Sequence, residues 1–130
     1  MSHFSLVKVK IKNPNETLLK KVVEQIAKDL NGQIVTEIVD YNGNVRTDFL
    51  IGVKTPAIRR GIGITLNKDG EVEIVGDFWR VRNEVNQFQE MLVQGYAKEA
   101  MKLALQARGY AVQEAKQGDK VLLRAVEVMI

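Results

Sequence analysis

The sequence predicts an α+β domain in which two helices cover one face of an antiparallel sheet. Two observations carry this prediction: two long segments have apolar residues at helical spacing, and several short alternating segments are joined by tight turns. The elements follow in the order β-α-β-β-β-β-α-β-β. No linker or low-complexity stretch divides the 130 residues, so residues 1–130 are expected to fold as a single domain.

The first strand and the first helix have clear local signatures. Residues 4–12 alternate between apolar side chains for the core and polar side chains for solvent. Residues 13–16 read Asn-Pro-Asn-Glu, which predicts Asn13 as the capping residue, Pro14 at the first helical position and Glu16 at the third. An apolar stripe at helical spacing follows, and the Asn31-Gly32 pair is typical of a helix end.

The middle of the chain predicts two antiparallel hairpins. Residues 33–39 and 45–53 are rich in β-branched side chains and flank Asn42-Gly43, a strong hairpin signal. The second hairpin pairs residues 61–66 with a strand from residue 71 to about residue 81.

A long second helix and a last hairpin complete the predicted domain. The helix extends from roughly residue 83 to residue 108, because apolar residues recur at spacings of three and four until Gly109. Residues 110–114 and 121–128 then form strands around a turn at residues 117–119.

The composition excludes several classes of functional site. His3 is the only histidine and the chain has no cysteine, so one chain supplies neither a Ser-His-Asp or Cys-His catalytic system nor the usual His and Cys metal ligands. No apolar run approaches the ~20 residues that span a bilayer, and residues 1–6 do not resemble a secretion signal. We therefore expect a cytoplasmic protein with no cofactor, no metal and no membrane contact.

Basic side chains concentrate in two segments, although the net charge of +3 is too small to indicate nucleic-acid binding. Lys8, Lys10 and Lys12 lie on the outward face of the first strand, and Arg59 and Arg60 lie in the middle of the chain. Lysines on a strand typically protect a sheet edge against aggregation. The alternative is a binding surface to which both basic segments contribute.

The segment around the only tryptophan leaves two interpretations open. In an unbroken strand, Asp77 and Trp79 would share one face while Phe78 faces the other way. A bulge at Gly76 would exchange which of the two aromatic side chains points inward. Trp79 is then either a core residue or an exposed anchor for a partner.

Four arginines are the densest cations of the chain: Arg59, Arg60, Arg80 and Arg82. A guanidinium group can hold a carboxylate or a phosphate by two-point contact. The Gly61-Ile62-Gly63 that follows the first pair lacks the lysine and the helix of a phosphate-binding loop. Solvated surface and partner contact both remain open for these arginines.

The element order also suits a curved sheet that grips the long second helix, as in helix-grip and TATA-binding-protein-like folds. Such a sheet can enclose an apolar cavity, for which Met91, Met101, Phe88 and Tyr96 are the candidate lining residues. Ordinary core packing of an amphipathic helix explains the same residues.

Three short motifs and the closing hairpin are distinctive in combination. The motifs are the opening Met1-Ser2-His3-Phe4-Ser5 with Val7-Lys8, the Asp77-Phe78-Trp79 stretch and Gln94-Gly95-Tyr96-Ala97, and the hairpin follows Gly109-Tyr110. In these features the chain resembles the hypothetical chloroplast reading frame thirty-five family, a family of unknown function.

The resemblance implies no activity, substrate or cofactor. It adds interest to His3, which lies in the shared opening motif. Arg80 departs from the small residue, usually glycine, expected there, and Gly95 departs from an expected arginine. Relatives are often encoded near an ATPase of the AAA type and a small accessory protein, so the resemblance implies a non-catalytic accessory protein or adaptor.

The sequence therefore predicts a protein-binding adaptor, and it favours a non-catalytic role over an enzymatic one. The docking surface would be the Asp77–Arg82 segment with the basic strands, and a homo-oligomer joined at an edge strand belongs to the same class. A nucleic-acid-binding module on the basic strands is the alternative. A small-ligand carrier or an enzyme with Asp77 as acid-base group is the second alternative. The candidate binding residues are His3, Lys8, Lys10, Lys12, Arg59, Arg60, Asp77, Trp79, Arg80 and Arg82.

Overall fold

The computed structural model describes residues 4–118 and 120–127 and confirms the predicted α+β class and element order. The elements are β1 (Ser5–Lys12), α1 (Glu16–Asp29), β2 (Gln33–Val35), β3 (Ile38–Val39), β4 (Val45–Arg46), β5 (Ile51–Lys54), β6 (Ile62–Leu66), β7 (Glu71–Gly76), α2 (Arg82–Ala107), β8 (Tyr110–Gln117) and β9 (Lys120–Glu127). Five strands form the main sheet in the order β1-β7-β6-β5-β2, and all its pairings are antiparallel.

Helix α1 begins two residues later than its sequence predicts, because Asn15 and not Asn13 is the capping residue. The Asn15 side chain accepts a hydrogen bond from the Leu18 N–H at 3.0 Å, which satisfies one of the free donors at the helix start. The Asn15 N–H itself donates to the Tyr96 hydroxyl of α2 at 2.9 Å. The start of the first helix is therefore fixed to the middle of the second.

The core lies between one face of the sheet and the two helices. Val7, Ile74, Ile64 and Ile51 stand side by side across β1, β7, β6 and β5, and the apolar stripe of α1 packs over this face. The first half of α2 completes the core with Val85, Phe88 and Leu92, all buried. Burial of each large apolar side chain contributes about 1.5–3 kcal/mol to the stability of the fold.

Two glycines shape the opposite face of the sheet. Gly52 of β5 and Gly63 of β6 are direct partners in the ladder, and the Phe49 ring lies over both. A Cβ atom on Gly63 would stand 2.8 Å from ring carbons of Phe49, too close for an undisturbed contact. The ring therefore fits only because both side chains are hydrogen atoms.

The predicted first hairpin differs from the observed one. Each of its strands is divided in two, so that β2 and β5 pair within the main sheet while β3 and β4 form a small separate sheet. The Val39 N–H donates to the Arg60 carbonyl oxygen at 3.0 Å, which ties β3 to the start of β6. This contact with a distant segment draws the chain away from the main sheet.

The predicted end of β7 at about residue 81 is wrong, because the strand ends at Gly76. Asp77 and Phe78 are both buried, and the chain turns through them into α2. Trp79 is exposed, so the interpretation of Trp79 as a core residue is also wrong.

The second half of α2 and the β8–β9 hairpin extend beyond the core. Ion pairs from Lys98 and Lys102 to Glu114 fasten the hairpin to the helix, while Met101 and Leu103 are exposed. Phe88 is a core residue with Met91 and Tyr96 packed against the core, which is the packing expected of an amphipathic helix, and Met101 is exposed. Among residues 4–118 and 120–127, no helix is long and apolar enough to cross a membrane.

Candidate functional site

Three loops meet at one end of the main sheet around the carboxylate of Asp77. Its Oδ2 accepts hydrogen bonds from the Tyr41 N–H and from Nη1 of Arg60, both at 2.8 Å. Its Oδ1 accepts a bond from the Trp79 N–H at 3.2 Å. The side chain of Asp77 is only 1% exposed, so this carboxylate is a tie between the β3–β4, β5–β6 and β7–α2 loops.

The β5–β6 loop brings two arginines to the site. The Thr55 hydroxyl oxygen and carbonyl oxygen both accept hydrogen bonds from the Ile58 N–H, which closes a tight turn after β5. Gly61 then adopts a left-handed φ of 87°, a conformation that favours glycine. Arg59 and Arg60 lie between these two fixed points.

The β3–β4 loop is held by Asp40. Its carboxylate accepts hydrogen bonds from the Asn44 side chain at 2.9 Å and from the Asn44 and Asn42 N–H groups at 2.8 and 2.9 Å. The Asn44 side-chain bond, assisted by the two backbone bonds, lowers the pKa of Asp40 from its ordinary value of 3.8, although burial and Asp77 oppose the shift. The loop thereby presents Tyr41 at a fixed position.

The exposed side chains above Asp77 form a cluster of aromatic rings and guanidinium groups, which we call the Trp79 cluster: Tyr41, Arg60, Trp79 and Arg80. The Cζ atom of Arg80 lies 4.4 Å from the Trp79 ring centroid. The Cζ atom of Arg60 lies 5.1 Å from the Tyr41 centroid and 5.9 Å from that of Trp79. The two rings meet edge to face at 6.1 Å. Trp79 is thus held in place while 53% of its surface remains exposed.

Arg80 has a left-handed backbone conformation, with a φ of 62°. This conformation is unfavourable by about 1–2 kcal/mol for a residue with a Cβ atom. It gives the physical reason why a glycine suits this position. In this chain an arginine occupies it, and its guanidinium covers the Trp79 ring.

A groove of about 420 Å³ opens beside the Trp79 cluster. The residues that line it are Ala57, Ile58, Arg59, Arg60, Asp77, Trp79, Arg80 and Val81. The lining combines apolar side chains with guanidinium groups, a combination that suits an anionic group attached to an apolar segment. Within residues 4–118 and 120–127, no cluster of three or more His, Cys, Asp or Glu side chains could hold a metal ion.

The structure brings five of the predicted binding residues together in this groove: Arg59, Arg60, Asp77, Trp79 and Arg80. Arg82, the first residue of α2, is exposed but is not among the lining residues. His3 lies outside the described residues.

The lysines of β1 lie elsewhere. Ser5 is opposite Gly76, next to the site, so Lys8 and Lys12 are about 10 Å and about 23 Å further along the strand. Lys8, Lys10 and Lys12 are exposed on an edge strand of the main sheet, and Nζ of Lys8 lies 3.7 Å from Glu71.

Sequence reasoning missed Tyr41 and Asp40. The available signal was the Asp-Tyr pair directly before Asn42-Gly43, since an aspartate at the start of a turn commonly accepts hydrogen bonds from the turn backbone. Nothing in the local sequence shows that this turn reaches Asp77, which is 36 residues away.

Comparison with known proteins identifies a family. Residues 26–126 match the profile of a family described as "Protein of unknown function (DUF1257)". No curated protein and no solved structure matches the chain. The matched region contains the groove and the Trp79 cluster.

Proposed function

The chain belongs to this family of unknown function, and on that premise we propose that it is a non-catalytic adaptor domain that binds a protein partner through the groove and the Trp79 cluster. The prediction of membership in a family without an assigned activity is confirmed. The observation that carries the proposal is the Trp79 ring, which is half exposed although two guanidinium groups lie within 5.9 Å of its centroid.

Exposed tryptophan in a fixed position is typical of the centre of a protein interface. Tryptophan, tyrosine and arginine are the side chains that contribute most to binding energy, and the Trp79 cluster contains all three. The three loops are tied through Asp77, so little conformational entropy is lost when a partner contacts the ring. These features support a preformed docking surface.

The environment of the Asp77 carboxylate favours a docking surface over an enzyme that uses Asp77 for acid-base chemistry. The two carboxylate oxygen atoms accept three hydrogen bonds from the protein, and the side chain is almost completely buried. A general acid or base must reach the substrate directly or through one water. Asp77 instead positions the loops that carry the binding residues.

Single-stranded nucleic acid is the second candidate, because exposed aromatic rings beside arginines also stack bases. The Trp79 cluster supplies such rings, which favours this alternative at the groove. A nucleic-acid site also needs cations that follow the backbone of the strand. Lys8 lies about 10 Å along β1 from Ser5, the residue next to the site, and its Nζ is near Glu71. The cationic surface at the groove therefore does not continue onto the lysines of β1.

The proposed function also includes candidate partners, the pairing of two copies and a cellular compartment. An AAA-type ATPase and a small accessory protein are the first partners to examine, as the family resemblance implies. Pairing of two copies at an edge strand such as β1 belongs to the same class of function. The cytoplasm is the proposed compartment, since a chain without cysteine suits reducing conditions.

Site-specific photo-crosslinking in the native host tests the proposal. A photoreactive phenylalanine analogue replaces Ala57, an exposed residue of the groove lining, in one variant, so that Trp79 is retained. In the control variant the analogue replaces exposed Lys68, in the β6–β7 turn. We expect a discrete protein adduct at position 57, resistant to nuclease and absent from position 68. Adducts only with nucleic acid would favour the second candidate, and equal adducts at both positions would refute the assignment of the site.

A further inference from the structure

The groove is surrounded by positive charge that the fold does not neutralise. Arg60 is paired with Asp77. In contrast, no carboxylate of residues 4–118 and 120–127 forms an ion pair with Arg59, Arg80 or Arg82. The carboxylates of Asp40 and Asp77 are buried, and both accept hydrogen bonds from the protein. The uncompensated charges therefore face the exterior at the groove and at the start of α2.

The backbone around Arg80 is fixed, so its guanidinium has a defined position over the Trp79 ring. Hydrogen bonds from Trp79 N–H to Asp77 and from Val81 N–H to the Phe78 carbonyl oxygen fix the backbone on both sides of it. The left-handed conformation between them directs the guanidinium over the Trp79 ring. A cation stacked on an aromatic ring keeps its edge N–H groups free for an anion.

We propose that the groove binds an acidic peptide segment whose carboxylates pair with Arg59 and Arg80 while an apolar side chain packs against Trp79 and Ala57. This inference rests on the proposed protein-binding function and names the chemistry of the partner. The groove volume of about 420 Å³ suits a few side chains of a segment. Guanidinium groups hold carboxylates by two-point contact, which gives direction as well as attraction.

The placement of charge favours a peptide over a nucleic-acid strand. Among the described residues, Arg59 and Arg80 are the cations of the groove lining that have no ion pair, whereas a strand of phosphates requires cations along its path. Short acidic segments need only two or three cations together with an apolar contact. The lining residues Ala57 and Val81, which are exposed and half-buried, offer that contact.

Trp79 is the only tryptophan, so its fluorescence reports the groove directly. The probes are acetylated hexaglutamate, hexaglutamine of the same length and a six-nucleotide oligothymidylate, each also labelled with fluorescein for anisotropy. The proteins are the wild type, Arg59→Ser, Arg80→Gly and the control Arg124→Gln. Arg124 is an exposed arginine of β9 that lies outside the groove.

We expect hexaglutamate alone to change Trp79 emission in a saturable way, with affinity that falls as salt is raised because exposed ion pairs are screened. Arg59→Ser and Arg80→Gly should each weaken binding by about tenfold, the effect of losing a charged hydrogen bond, while Arg124→Gln should leave it unchanged. Equal binding of hexaglutamine, tighter binding of the oligonucleotide, or equal losses in the control would each overturn the acidic-segment proposal.

The crosslinking experiment separates this proposal from the broader one. A protein adduct at position 57 together with no preference for hexaglutamate would refute the acidic segment and leave the docking function standing. Absence of any protein adduct at position 57 would refute both proposals.

Discussion

The Arg60 guanidinium donates a hydrogen bond to Asp77 Oδ2 at 2.8 Å and thereby joins the loop before β6 to the loop after β7. The carboxylate is buried, whereas the guanidinium is 30% exposed and contacts both aromatic rings of the Trp79 cluster. One ion pair thus connects the stability of the fold with the shape of the candidate binding surface.

We expect Asp77→Asn to lower the free energy of unfolding by about 2–4 kcal/mol. Removal of one partner from a largely buried ion pair leaves the other without compensation, and partial exposure of Arg60 moderates the loss. Urea unfolding followed by circular dichroism measures the change. The matched control is Asp48→Asn, which breaks the exposed Arg46–Asp48 pair and should change stability by less than about 1 kcal/mol. Equal losses in both variants would contradict the role of Asp77.

Two substitutions of Arg80 separate the effect of its backbone conformation on stability from the effect of its side chain. Arg80→Gly and Arg80→Ala both remove the guanidinium, but only glycine relieves the left-handed conformation. We expect the glycine variant to be more stable than the alanine variant by about 1 kcal/mol, since the relief of strain exceeds the entropy that glycine adds to the unfolded chain. Thermal and urea unfolding provide the comparison. An alanine variant as stable as the glycine variant would show that position 80 is not strained.

The ring of Phe49 provides a test of packing on the sheet face opposite the helices. Gly63→Ala should destabilise the fold by about 1–3 kcal/mol, because its Cβ atom would meet the Phe49 ring. In a Phe49→Ala background most of this loss should disappear. Gly52→Ala should remain destabilising in both backgrounds, since its Cβ atom would also lie 2.7 Å from the Val35 carbonyl oxygen. A double-mutant cycle measured by urea unfolding gives both coupling energies. Equal rescue of the two glycine variants would contradict the observed contacts.

Asn44 should contribute to stability in a pH-dependent manner. Its side chain donates to the Asp40 carboxylate and is the largest cause of the lowered pKa of Asp40. A carboxylate with a lowered folded-state pKa stabilises the protein above its unfolded value, here near 3.8, and loses that contribution as the pH falls through the folded-state pKa.

The melting temperature of Asn44→Ala should therefore lie below that of the wild type at pH 6, and the difference should narrow as the pH falls below about 4. Asn86→Ala, on the exposed face of α2, is the control, and its effect should not depend on pH. A constant difference for Asn44→Ala from pH 6 to pH 3 would contradict the proposed stabilisation of the Asp40 carboxylate.

Local sequence signals predict the elements of this fold well and their ends less well. The glycine after α1 and the alternation in β1 act within a few residues, and the structure has the corresponding elements. The predicted cap at Asn13 lies two residues before the observed cap at Asn15. The extended prediction for β7 is wrong because Asp77 accepts hydrogen bonds from Tyr41 and Arg60. Contacts of this kind join segments that are far apart in the chain, so no local pattern indicates them.

The candidate site shows the same division. The sequence identified Trp79 and the arginines as unusual, because these residue types are common in interfaces. It left open whether the ring is buried, since a shift of one residue in a strand exchanges the two faces. It also grouped the lysines of β1 with the arginines, whereas the antiparallel pairing of β1 with β7 places those lysines progressively farther from the groove.

The sequence by itself determined the α+β class, the order of the elements, the absence of cysteine and the lack of any histidine beyond position 3. These properties depend on composition and on periodicities that repeat within one helix or strand. The tertiary structure alone decided that Trp79 is exposed, that Asp77 is buried and that Tyr41 and Arg60 meet beside them. The physical reason is that a buried carboxylate needs donors, and in this fold the donors come from three loops that only the complete sheet brings together.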